Sequence, residues 1–106
     1  MSRKVKRVGV QNVLADLGLP DAEELTAKTI LAKKINDILA VRGLTQMEAA
    51  DLLAMPQPKI SALRNYKLRG ISLERLLQAL TALGQRVEIV VRPSKRSAPA
   101  QIAVAA

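Results

Sequence analysis

The chain has 106 residues, which suits one small domain with appended segments and leaves little room for a second core. Its residues are 49% hydrophobic, mostly Leu, Ile, Val and Ala, with Tyr66 the lone aromatic, so the core must be aliphatic, as packed helices allow. The absence of Cys and His removes disulfides, thiolate or imidazole metal ligands and imidazole acid–base chemistry, while a net charge of +8 calls for an acidic partner, nucleic acid or an anionic surface.

Residues 1–20 open with Arg3, Lys4, Lys6 and Arg7 and are expected to form a flexible basic segment. Within it, Val10, Val13, Leu14 and Leu17 have helical spacing over a stretch too short to be stable alone. Neither a secretory leader nor an apolar run of the ~20 residues needed to span a bilayer is present, so a cytoplasmic location without membrane insertion is expected.

Asp21 followed by Glu24 suggests a helix start and Gly43 a stop, predicting a helix from about 22 to 42. Its inner stripe would be Leu31, Ile35, Ile38 and Leu39, leaving Lys28, Lys33, Lys34 and Asp37 on a solvated face. Thr45 and Glu48 have the spacing of a capping box, in which hydroxyl and carboxylate satisfy each other's backbone amides. A second helix should begin there, with Ala50 and Leu53 inward, and end near Leu53 or Ala54 because Pro56 steers Met55 away from helical geometry.

A third helix is expected from about Gln57 to Asn65, with Ile60 and Leu63 inward and Pro58 in the first turn, where it costs no intrahelical donor. Ser72 is a good cap for a fourth helix carrying Leu73, Leu76, Leu77, Leu80 and Leu83 and ended by Gly84. Residues 86–92 change to a period of two, with Val87, Ile89 and Val91 on one face, which predicts a strand needing a partner from the N-terminal segment or from a second copy. Residues 21–84 would thus form the domain, 85–92 a dimerisation strand and 93–106 a disordered tail.

Two short helices joined by a tight turn, the second on the basic stretch between Pro56 and Leu73, form a helix-turn-helix pattern suited to duplex DNA. The run from Leu44 to Leu63, LTQMEAADLLAMPQPKISAL, resembles the helix-turn-helix of the XRE family, which includes the phage repressors and Cro proteins. The resemblance implies an all-α, repressor-like bundle of four to five helices, here with one C-terminal β-strand. It departs from the family pattern at Ala54, in a turn position usually held by Gly, and at Pro56, where a polar cap is usual. Ala in a left-handed conformation would be strained, so a local adjustment of the turn is expected.

Carried over residue by residue, the pattern puts Gln57, Pro58, Lys59, Ser61 and Ala62 at the base-contacting side of the recognition helix. Gln57 suits adenine and Lys59 guanine, whereas Pro58 and Ala62 could touch only thymine methyls. Thr45, Gln46, Arg64, Asn65, Lys67 and Arg69 are the candidate phosphate contacts. One helix reads few bases, so a homodimer spanning two half-sites is expected.

The run ADLGLPDAEEL from Ala15 to Leu25 and the later VEIVVRP resemble HigA-type antitoxins and their XRE relatives. That likeness implies a repressor of its own operon that also neutralises a small RNase toxin, with Leu14, Leu17, Leu19 and Leu25 either anchoring the toxin or covering the bundle. A stand-alone XRE-family repressor without a toxin is the alternative. A role at membrane surfaces fits less well, since the basic residues gather at a capped turn and aromatic anchors are lacking. No catalytic residue, cofactor or metal site is expected.

Overall fold

The computed structural model describes residues 21–93 and residue 104. Four helices occupy them: α1 Asp21–Arg42, α2 Gln46–Leu53, α3 Gln57–Arg64 and α4 Leu73–Ala82. The expected all-α bundle is therefore present, with α1 packed most extensively on α4, α3 against α1 and α2, and α2 also touching α4. Ile35, Leu39, Ile60, Leu63, Leu76 and Leu83 are its largest fully buried side chains. They come from α1, α3, α4 and the residue that caps α4, Leu83, so the aliphatic stripes of three helices close on one another.

The predicted starts hold for α2, capped by Thr45, and for α4, where Ser72 Oγ accepts from the amide of Arg75 at 3.1 Å. The ends follow one pattern. A residue just past each helix turns left-handed, and the next amide reaches back five residues: Leu44 to the Leu39 carbonyl, Met55 to Ala50, Lys67 to Ala62 and Gln85 to Leu80. This double-bonded termination satisfies carbonyls that a helix end would otherwise orphan. Glycine occupies the left-handed position after α1 (Gly43, φ 64°) and after α4 (Gly84, φ 80°), but Ala54 (φ 52°) and Tyr66 (φ 58°) occupy it after α2 and α3.

Three expectations change. Lys28 is not on the solvated face: it is 3% exposed, pairs with Glu24 at 3.1 Å and donates to the Leu68 carbonyl at 3.2 Å. Helical periodicity places its Cα beside the 66–70 loop, and the long apolar stem can then be buried because the ammonium finds both an acid and a carbonyl. Lys33, Lys34 and Asp37 are exposed as expected. On α2 the deepest position is Ala49, with Ala50 half-buried beside it.

The third change is at residues 86–92, which do not form a strand; no strand occurs among the described residues. The period of two organises exposure only as far as Val90, since Gln85, Val87 and Ile89 are half-buried while Arg86, Glu88 and Val90 face outward, but Val91, expected on the face of Val87 and Ile89, is exposed. Val87 packs on the bundle. What is missing is a neighbouring strand, among the described residues, to complete the ladder.

Candidate nucleic-acid interface

The interface is built on two eight-residue helices whose ends are fixed by different chemistry. At α2, Thr45 Oγ1 accepts from the Glu48 amide at 3.1 Å and the Glu48 carboxylate accepts from the Thr45 amide at 2.9 Å. The bond from the Thr45 amide, then that from its hydroxyl, favours the ionised carboxylate and lowers the Glu48 pKa from its ordinary value. Gln46, next to this cap, is exposed.

At α3 the capping position is Pro56, which offers no side-chain acceptor. Its carbonyl takes the amides of Lys59 (2.9 Å) and Ile60 (3.2 Å). Prolines at 56 and 58 carry no N–H, so the helix start is relieved of two donors that would otherwise lack partners. The Gln57 amide is left without a partner among the described residues. The turn itself is not adjusted away from the conformation expected to be strained: Ala54 sits at φ 52° and ψ 45°.

Ile60 and Leu63, both 0% exposed, bolt α3 to the core. That fixes its rotation: Gln57, Pro58 and Lys59 are exposed at its N-terminal end, while Ser61 and Ala62 are half-buried on its flanks, Ala62 against the core. The Lys59 ammonium donates to the Gly70 carbonyl and so crosses to the loop after the helix. Arg64 donates from Nη2 to the Leu44 carbonyl at 2.7 Å, and Asn65 Nδ2 turns back on the Ser61 carbonyl at 2.9 Å. Lys67 and Arg69 are exposed on the adjoining loop.

The sequence-predicted contacts on α2, α3 and the 65–69 segment thus belong to one contiguous part of the fold. Of the proposed toxin anchors, Leu25 is half-buried in a groove with Thr29, Tyr66 and Leu68; Leu14, Leu17 and Leu19 lie outside the described residues. Sequence reasoning missed a set of long side chains that tie helices through main-chain carbonyls. Arg42 Nη2 binds the Leu83 carbonyl at 2.6 Å, Arg75 Nη2 binds Ala54 at 2.7 Å and Asn36 Nδ2 binds Leu63 at 3.1 Å. Their partners lie 21 to 41 residues away, where no local pattern signals them.

A family model described as a helix-turn-helix domain matches residues 13–92. A solved structure described as a candidate XRE family transcriptional regulator is 52% identical, with a TM-score of 0.76, covering 82% of this chain and 99% of its own. No curated protein matches the chain. The chain belongs to the XRE family of helix-turn-helix transcriptional regulators. XRE-family regulators bind double-stranded DNA and are not enzymes. No helix among the described residues is long and apolar enough to cross a membrane.

Proposed function

We propose that this XRE-family regulator is a cytoplasmic repressor that binds its operator as a homodimer, with α3 of each copy in a major groove. The observation that carries the proposal is the rotation of α3, whose buried Ile60 and Leu63 leave Gln57, Pro58 and Lys59 outward at its N-terminal end. Gln57 and Lys59 supply the polar base contacts, with Pro58, Ser61 and Ala62 bounding what fits beside them. Thr45, Gln46, Arg64, Asn65, Lys67 and Arg69 hold phosphates and fix the register. With so few base contacts, specificity leans on half-site spacing and DNA shape.

The dimer reading is supported by residues 85–92, whose exposure alternates as far as Val90 and in which Val90 is 53% and Val91 67% exposed. Pairing with the same segment of a second copy would complete its ladder and cover these valines. Selecting bound sites from a random duplex pool tests both parts. A palindrome with half-sites ~34 Å apart supports the dimer, and failure to enrich any sequence refutes operator binding. Replacing Gln57 and Lys59 by Ala should level the preference among sites, whereas Lys67→Ala should weaken all sequences alike and lower the salt slope by about 0.9.

The resemblance to HigA-type antitoxins further suggests that the protein neutralises a small RNase toxin and regulates the shared operon. Leu25, in a groove it shares with Thr29, Tyr66, Leu68 and the basic Lys67 and Arg69, is a candidate anchor for such a partner, and the sequence offers Leu14, Leu17 and Leu19 as further anchors. A stand-alone repressor is the second reading, favoured by the description of the 52%-identical structure as a transcriptional regulator and nothing more. Co-expression with the neighbouring small reading frame separates them: a stable complex, weakened by Leu25→Ala, marks the antitoxin.

A further inference from the structure

The direction in which α3 leaves α2 is set by a turn that its backbone closes but whose own residues supply no side-chain cap. Ala54 is an L-residue in the left-handed region, and Pro56 provides no side-chain cap. The turn's backbone bonds run from the Ala54 amide to the Ala50 carbonyl and, at a long 3.4 Å, to that of Asp51, and from the Met55 amide to Ala50 at 3.0 Å. The Ala54 carbonyl is gripped from outside by Arg75 Nη2 at 2.7 Å, across 21 residues. Arg75 is firmly seated for this, because its own amide is held by the Ser72 cap and its neighbours Leu73 and Leu76 are buried. A charge-assisted bond to that carbonyl also places a cation at the C-terminal end of α2, where the helix dipole favours it.

We propose that Arg75 is a positioning residue for DNA reading: by holding the Ala54 peptide plane it sets where Gln57 meets the groove, without itself contacting DNA. Gln57 lies only three residues beyond Ala54, so a shift of that peptide acts on the first turn of α3, ahead of the point where Ile60 and Leu63 bolt the helix to the core. A contact set loosened by roughly 1 Å loses its advantage for the correct ligand before it loses general attraction. The inference rests on α3 being the reading helix.

The test uses the full chain, a duplex selected by the wild-type protein from a random pool, and a scrambled duplex of equal length. Arg75→Gln should lower the preference for the selected duplex about tenfold, the loss expected when one charge-assisted bond is removed. Affinity for the scrambled duplex and its salt dependence should be unchanged. Arg75→Lys, which keeps charge and donor, should recover part of the preference. In the Ala54→Gly background Arg75→Gln should have a different effect from that in wild type, since both act on one peptide.

Amide exchange supplies a DNA-free readout: Arg75→Gln should speed exchange at Met55 and Ile60 more than in the middle of α1. A fall of about 0.9 in the salt slope on the scrambled duplex would make Arg75 a phosphate contact and overturn the proposal. An unchanged preference accompanied by a lower melting temperature would overturn it too, leaving only a structural bond. If the wild type selects no duplex, operator reading fails on its own, and unaltered exchange at Met55 would then still refute the grip on the turn.

Discussion

Replacing Ala54 by Gly should stabilise the protein, and the size of the gain follows from its backbone. A left-handed L-residue costs roughly 1–2 kcal/mol from the crowding of Cβ against the following carbonyl. Against this, glycine loses about 0.5–1 kcal/mol more chain entropy on folding. Ala54 is exposed, so its methyl group adds little packing. The net gain should be about 0.5–1 kcal/mol, or a rise in melting temperature of roughly 2–8 °C for a domain of this size. Gly43 provides the opposite experiment: at φ 64° an added Cβ would meet nothing within 4 Å, so Gly43→Ala carries a conformational cost alone. Thermal unfolding followed by circular dichroism at 222 nm, checked by urea midpoints, measures both. If Ala54→Gly leaves stability unchanged or lowers it while Gly43→Ala behaves as expected, the turn is not strained as described.

Other perturbations probe the caps and the core. Thr45→Ala removes the hydroxyl from the Glu48 amide and should cost about 1 kcal/mol in urea unfolding. Because Glu48 has a lowered pKa in the folded protein, its contribution is present above the ordinary carboxylate value of about 4.3 and is lost as pH falls through the folded value. Glu48→Gln should therefore flatten the stability profile below about pH 4.3 and leave no titration of this group there. Leu76→Ala, at a site 0% exposed between α4 and the other helices, should cost 2–5 kcal/mol and be readable as a shifted denaturation midpoint.

Much of the bundle was legible because its signals are local. Thr45, Glu48, Ser72, Gly43 and Gly84 mark helix ends through chemistry completed within a few residues, and the leucines of α4 show their inner face by spacing alone. Lys28 departs from the periodic expectation because periodicity says where a Cβ points, not where a four-carbon stem can carry its charge. The carbonyl it needs belongs to Leu68, far along the chain. The same holds for Arg75 and Arg64, whose partners at Ala54 and Leu44 appear only once the helices are packed. Residues 86–92 show the converse: alternation matches exposure only up to Val90, and a strand requires a neighbour, which a single sequence does not supply.

Tyr66 gives this protein an unusual spectroscopic economy. It is the chain's single aromatic, with no Trp or Phe beside it, and it stands 45% exposed in a left-handed turn one residue past the cap of α3. Near-ultraviolet dichroism and intrinsic fluorescence therefore have one source, located at the edge of the surface assigned to DNA. Thermal unfolding of the free protein can be followed there without an attached dye, and a signal change that precedes loss of helix on heating would report the loosening of that edge alone.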